Sequence, residues 1–307
     1  MQKTKKLPVR LFIYFKERFP VHIYAPFVTF LYLCMSFSIQ ALQGTDIVFD
    51  KYSIIGLISS LLFMLLMRTF DELKDFELDK EIFPNRPAPR GDVLKSDLHL
   101  IAITTLSILI LINVIFAQNT LLVFAIVLIY AVLTFKWFFA EKFHLEHLFF
   151  TMFTHQPLPY LINFYLLHTA LASGAVYENF TITHFAFLLM YSVPITIWET
   201  SRKIRNKEKE DGYQTFSKIL GSSGATFIPL IAVYITSALS FYAGFLLDLP
   251  TSYFILSIAI FIYANIFYLR FIFKPTEKNN NLETTGTVYS ALVFMNLLGH
   301  LLFNMYY

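Results

Sequence analysis

Nine long apolar runs constrain what this chain can fold into more than any other feature of its sequence. A bilayer-spanning helix needs about 20 predominantly apolar residues, and each run meets that length. A soluble core could not absorb them, because 56% of the 307 residues are hydrophobic and only 15% are charged. We therefore predict one all-α membrane domain over 1–307, a bundle of nine transmembrane helices around a central cavity. The predicted spans are 21–42, 52–70, 97–117, 120–140, 146–171, 182–201, 222–247, 251–273 and 286–306.

Basic residues lie almost entirely on one side of the predicted membrane. With a cytoplasmic N-terminus, every Lys and Arg except Lys51 falls in an inner segment or at its membrane edge. Lys and Arg accumulate in cytoplasmic loops, so this bias predicts a cytoplasmic N-terminus. We expect a multi-pass protein of a bacterial inner membrane, surrounded by lipid, with no nucleic acid and no obligate protein partner. The outer connections are too short to form a domain, so any chemistry takes place in or at the membrane.

An acidic stretch follows the second apolar run directly. Asp71, Asp75 and Asp79 recur every four residues, so a continued helix would place them along one face. Carboxylates at such short distances repel one another unless cations lie between them. Mg²⁺ is a suitable cation, because it prefers oxygen ligands of this kind. The alternative is a solvated acidic helix end stabilised by Lys74 and Lys80. We favour the metal site, because the stretch lies at the mouth of a membrane helix.

A proline-arginine loop comes next, Pro84-Asn85-Arg86-Pro87. Its prolines predict that the helix ends before it, since proline lacks a backbone donor and disfavours helical geometry in the residue before it. Within the fifth run, Pro157 and Pro159 predict a break for the same reason.

A second polar group lies at the inner end of the sixth run. Glu199, Arg202 and Lys203 share a helical face by their spacing, and a carboxylate at this depth is costly without a partner. The alternative is a basic anchor to anionic lipid, which is the stronger interpretation for Lys207 and Lys209. At the end of the fourth run, Lys136 is placed either to reach a phosphate or to snorkel into the interface.

Together these residues resemble the UbiA superfamily of intramembrane prenyltransferases, which has nine transmembrane helices and two Asp-rich motifs after the second and sixth helices on the cytoplasmic side. Its first motif, N-D-x-x-D-x-x-x-D followed by P-x-R-P, is similar to Asp71-Glu72-x-x-Asp75-x-x-x-Asp79 followed by Pro84-Asn85-Arg86-Pro87. Asp71 stands where the family usually has Asn. Its second motif, D-x-x-x-D, corresponds to Glu199-x-x-x-Lys203. Asp211-Gly212-x-x-Thr215 then resembles the family continuation D-x-x-G-x-x-T.

The resemblance implies an enzyme that ionises an isoprenyl diphosphate and transfers the isoprenyl group to a lipophilic, typically aromatic, acceptor. It implies Mg²⁺ as the cofactor and a site on the cytoplasmic side. The implied metal ligands are Asp71, Asp75, Asp79, Glu199 and Asp211, and the implied diphosphate contacts are Arg86, Lys136, Arg202 and Lys203. Because Lys203 replaces a family carboxylate, one metal contact is expected to have become a direct ammonium–phosphate contact.

Two other functions remain open from the sequence. In a membrane terpene cyclase of the same superfamily, a double bond of the prenyl chain itself would capture the cation. The third function is an ion-coupled transporter, which would be expected to carry charged residues near the middle of several spans. Here the charges lie at the inner ends of the spans.

Overall fold

The computed structural model describes residues 5–173, 180–210 and 215–306, and the described residues form α-helices, short 3₁₀ turns and loops without any β-strand. The α-helices are Leu7–Glu17 (α1), Val21–Leu42 (α2), Lys51–Lys74 (α3), Phe76–Ile82 (α4), Lys95–Phe116 (α5), Leu121–Phe135 (α6), Glu141–Glu146 (α7), Leu148–His155 (α8), Pro157–Leu171 (α9), Ile182–Ser201 (α10), Phe216–Leu220 (α11), Ser222–Leu246 (α12), Thr251–Phe273 (α13) and Leu282–Tyr306 (α14).

Eight helical segments of the described chain are long and apolar enough to cross a membrane. They correspond to eight of the nine predicted spans. The fifth, 146–171, instead consists of two shorter helices, α8 and α9, which meet at Gln156. Pro157 occupies the first turn of α9, where its missing donor is tolerated. The predicted break is therefore confirmed, whereas the count of nine continuous spans is not.

The end of α6 differs from its predicted position. The sequence predicts a span to residue 140, but α6 ends at Phe135. Trp137, Phe138 and Phe139 then adopt φ values of 51°, 49° and 60°, in the left-handed region that bulky residues rarely occupy. Since a right-handed helix cannot continue through such a backbone, the chain turns here at the end of the membrane helix.

Small residues allow the helices of the first half to approach closely. Helix α2 packs against α3, α9 and α14, and α3 packs against α5 and α9. At Gly56 in α3, an added Cβ would lie 2.2 Å from the Tyr32 hydroxyl and 2.4 Å from Thr169 Oγ1. The junction of α2, α3 and α9 therefore requires glycine. In the second half α10 packs against α12 and α14, and contacts of α14 with α2 join the two halves. The expected central cavity stays a prediction.

Helix α1, which the apolar runs do not predict, holds the start of the chain against the end of the bundle where α3 ends and α5 begins. Arg10 donates two hydrogen bonds to Asp97 at the start of α5, at 2.7 and 2.8 Å. The Tyr14 hydroxyl lies 3.0 Å from Thr69 Oγ1 in α3. Arg18, just after α1, reaches the buried Glu72 at 2.6 Å. These contacts fix the last turn of α3, where the acidic stretch begins.

Candidate active site

The acidic stretch is a helix with one bend. Helix α3 ends at Lys74, Asp75 has φ −93° and ψ 11°, and α4 resumes at Phe76. The Asp75 N–H still donates to the Asp71 carbonyl, and the Asp79 N–H to the Asp75 carbonyl, each at 2.8 Å. Because these bonds keep the four-residue spacing of an α-helix across the bend, the three aspartates stay one turn apart. After Ile82 the proline-arginine loop ends the helix, as predicted.

Asp71 and Asp75 are the carboxylates of this stretch that lack a direct counter-ion. Within the described residues, neither makes an ion pair or a side-chain hydrogen bond. Asp71 is solvent-accessible, and Asp75 is half-buried. Burial raises the pKa of Asp75 to about 6, and repulsion from Asp71 and Asp79 acts in the same direction against the attraction of Lys74. Two carboxylates one turn apart, attracted by Lys74 but without a direct ion pair in the described residues, form a locally negative surface.

Asp79, in contrast, is already paired. Arg86 Nη1 lies 2.7 Å from both Asp79 carboxylate oxygens, and its guanidinium stacks on the Phe83 ring at 3.6 Å. Arg86 also lines a cleft of about 310 Å³ together with Arg18 and Asn85. The structure thus brings together a predicted metal ligand and a predicted diphosphate contact, but they neutralise each other.

Glu199, Arg202 and Lys203 form a cationic group at the C-terminal end of α10. Arg202 Nε donates to Glu199 Oε2 at 2.7 Å, and Arg202 Nη2 donates to Oε1 at 2.9 Å. Lys203 Nζ lies 2.8 Å from the same Oε1. One negative and two positive charges leave this group, here called the α10 triad, with an excess of one positive charge. The predicted helical face is confirmed by these contacts.

The two polar stretches lie within electrostatic range of each other. The Asp71 carboxylate interacts with both Glu199 and Arg202 of the α10 triad. Asp71 and Glu199, which are 128 positions apart in the chain, therefore lie at the same end of the bundle. A negative edge on α3 and a positive edge on α10 suit a ligand that carries both a cation and an anionic group.

Two lysines lie near this end of α3, and one of them, Lys74, interacts with the aspartates directly. Lys136 caps α6, and its ammonium lies 5.1 Å from the centre of the Phe135 ring, which stacks at 4.3 Å on Phe70 of α3. Lys74 lies 4.0 Å above the Trp137 ring and interacts with Asp71 and Asp75. From the sequence, Lys74 is expected only to stabilise a solvated helix end. The position of Lys74 in the sequence, between Asp71 and Asp75, is the feature that could have indicated its place in the site.

The fit of a metal ion can be judged from the donor set. In the part of the chain that the structure describes, no three His, Cys, Asp or Glu side chains lie close enough to hold a metal ion. Asp211, one of the expected ligands, lies outside the described residues. Asp71 and Asp75 still supply two unpaired carboxylates, which are oxygen donors of the kind that Mg²⁺ uses with substrate phosphates. These two residues fit a divalent cation, whereas Asp79 and Glu199 are engaged by basic side chains.

Comparison with known proteins identifies the family. The profile of the UbiA prenyltransferase family matches residues 26–298. No curated protein matches the chain significantly in sequence. Two solved structures share its fold at low identity. A digeranylgeranylglyceryl phosphate synthase has a TM-score of 0.67 and 14% identity, with 95% of this chain and 98% of that chain covered.

The second structure is the apo form of a UbiA homologue from Aeropyrum pernix K1. It has a TM-score of 0.62 and 13% identity, with 87% of this chain and 97% of that chain covered. Enzymes of this family generally use a divalent metal, an isoprenyl diphosphate and a lipophilic acceptor in the membrane. The chain belongs to the UbiA prenyltransferase family and is an intramembrane enzyme that transfers prenyl groups.

Proposed function

We propose that this enzyme transfers an isoprenyl group from an isoprenyl diphosphate to a lipophilic, aromatic acceptor, and that the reaction depends on Mg²⁺. The observation that carries the proposal is a pair of carboxylates without a direct ion pair in the described residues, Asp71 and Asp75, of which Asp71 lies within electrostatic range of the cationic α10 triad. A metal–diphosphate complex matches this arrangement, because its metal suits the carboxylates and its phosphate oxygens suit Arg202 and Lys203.

In this proposal Asp71 and Asp75 hold the divalent cation, which acts as a Lewis acid toward the diphosphate when bound. Arg202 and Lys203 hold the phosphate oxygens and stabilise the negative charge that grows as the carbon–oxygen bond breaks. Lys136 and Lys74 lie at the edge of the same site and add positive charge. Arg86 joins them when the diphosphate competes with Asp79 for its guanidinium.

The same charges account for the location of the reaction. The polar groups lie at helix ends, and the helices beyond them are apolar, with mean hydropathies of the candidate spans from 1.2 to 2.4. A prenyl chain can enter the apolar region while its diphosphate remains at the polar end. We place that end on the cytoplasmic side, because the basic residues of the chain concentrate there.

The test is a product analysis with purified enzyme. The protein is incubated with a panel of isoprenyl diphosphates of different chain length, with Mg²⁺ or with EDTA, and products are identified by mass spectrometry. The acceptors include a lipophilic phenol and a glyceryl phosphate, the latter because one structural neighbour is named for a glyceryl phosphate product. A prenylated phenol formed only with Mg²⁺ supports the proposal, whereas prenylation of the glyceryl phosphate alone would contradict the aromatic acceptor.

Other products would point to the alternatives. A cyclised hydrocarbon or alcohol formed without an acceptor would identify a terpene cyclase. A protein that binds but never consumes any prenyl diphosphate would contradict both enzymatic reactions. The cyclase keeps the same ionisation step, so it shares the Asp71–Asp75 edge and the α10 triad with the transferase.

A further inference from the structure

The two edges of the site differ in how their charges are balanced, and this difference limits the number of metal ions. On α3, Asp71 and Asp75 contribute two negative charges without a direct counter-ion in the described residues. On α10, Glu199 is surrounded by two cations, so its edge is positive. A divalent cation is attracted to the first edge and repelled by the second.

The geometry of Glu199 makes it a poor metal ligand. Both of its carboxylate oxygens accept short, charge-assisted hydrogen bonds, Oε2 from Arg202 and Oε1 from Arg202 and Lys203. The contact between Glu199 and the Arg202 guanidinium is bidentate, which is a strong arrangement for a carboxylate and an arginine. To bind a metal ion, Glu199 would have to release a lysine and an arginine, which would then lie as unpaired cations beside that ion.

Resting on the proposed function, we infer that this enzyme uses a single divalent cation, held at Asp71 and Asp75, and that Lys203 with Arg202 replaces a second metal by contacting the diphosphate directly. The side chains of these two residues remain partly accessible, at 21% for Lys203 and 41% for Arg202. Each has N–H donors beyond those that Glu199 accepts, so each can contact an incoming phosphate oxygen while it remains paired with Glu199. An ammonium gives a phosphate a point charge, and the guanidinium gives it a planar pair of donors.

The direct test counts metal ions. Purified full-length protein in neutral detergent is titrated with Mn²⁺ in the presence of inorganic pyrophosphate, and bound Mn²⁺ is followed by electron paramagnetic resonance. The inference predicts a single bound Mn²⁺ in the wild type. In Lys203→Asp, which makes the α10 edge negative, it predicts a second Mn²⁺ close enough to broaden the spectrum by dipolar coupling. Two bound ions in the wild type, or a single ion in both proteins, would overturn it.

A second measurement tests the direct contact between Lys203 and the diphosphate, and it does not require Lys203→Asp to fold. The affinity for pyrophosphate is measured in EDTA for wild type, Lys203→Ala, Lys203→Arg and Lys207→Ala. Loss of a charge-assisted contact predicts about tenfold weaker binding for Lys203→Ala. Lys203→Arg should retain most of the affinity, and Lys207→Ala, at an exposed position outside the triad, should match the wild type. Equal affinity of Lys203→Ala and wild type would refute the direct contact.

Failure of this inference can be told from failure of the proposed function. The same preparations are assayed for consumption of prenyl diphosphates. Two bound Mn²⁺ ions in an active enzyme would refute the single-metal inference alone. A single Mn²⁺ in a protein that consumes no prenyl diphosphate would leave the metal count standing and refute the proposed reaction.

Discussion

Neighbouring acidic residues of the α3 end have opposite environments. Asp71 is accessible and lacks an ion pair in the described residues, whereas the adjacent Glu72 is buried between Arg18 and Arg68, at 2.6 and 3.2 Å. The spacing of the aspartates was visible in the sequence. The sequence does not show which of these carboxylates are neutralised, because Arg18 follows α1 and is far from Glu72 in the chain. The roles predicted for the site residues stay predictions.

Removing Arg18 should lower the stability of the folded protein and not only its catalytic activity. Arg18→Ala leaves the carboxylate of Glu72, 6% exposed, with Arg68 as its remaining partner. Breaking a buried ion pair in this way costs about 3 kcal/mol, so we expect a clearly lower melting temperature in detergent. Arg90→Ala is the matched control. Arg90 pairs with Glu17 and Asp92 at the surface, where such pairs contribute about 1 kcal/mol or less. Equal melting temperatures for the two variants would contradict the assigned role of Arg18.

At the scale of the helices, the sequence predicts the long apolar elements well and the irregular ones poorly. Eight predicted spans coincide with long helices because apolar length is itself the physical requirement for crossing a bilayer. Helix α1 was missed because it is short and mixes basic with apolar residues. The left-handed turn at Trp137–Phe139 carries no sequence signal, since aromatic residues disfavour that backbone. In the folded chain Trp137 and Phe138 both pack against His144 and His155.

The junction of α2, α3 and α9 gives a test at this scale. Gly56→Ala places a methyl group where the Tyr32 hydroxyl already lies, and that hydroxyl is held 3.1 Å from Thr169 Oγ1. We expect a loss of roughly 1–3 kcal/mol, the usual effect of overpacking, measured as a lower midpoint of thermal unfolding. Gly299→Ala is the control, because a Cβ there meets nothing within 4 Å. Destabilisation of both variants to the same extent would mean that the close approach at Gly56 has no special importance.

For the whole molecule, the one-sided distribution of basic residues predicts that both polar stretches face the cytoplasm. Single cysteines at Lys80, Lys207 and Asp46, all exposed positions, test this in a Cys34→Ala background. An impermeant thiol reagent applied to intact cells should label Asp46→Cys, in a predicted outer connection. It should label Lys80→Cys and Lys207→Cys only after the membrane is opened. External labelling of Lys80→Cys or Lys207→Cys would reverse the orientation.

Asp71 and Asp75 are the proposed ligands of the divalent cation, so the most direct measurement is diphosphate release by Asp75→Ala. The assay follows release from a prenyl diphosphate that the wild type consumes, in Mg²⁺ and in excess EDTA. We predict that Asp75→Ala loses about 10²–10³-fold in rate, the usual effect of removing one preorganised electrostatic contact. The wild type in EDTA should be equally impaired. Glu77→Ala should keep its activity, because the exposed Glu77 pairs only with Lys80 in the described residues. Full release by Asp75→Ala, or by the wild type in EDTA, would contradict the account.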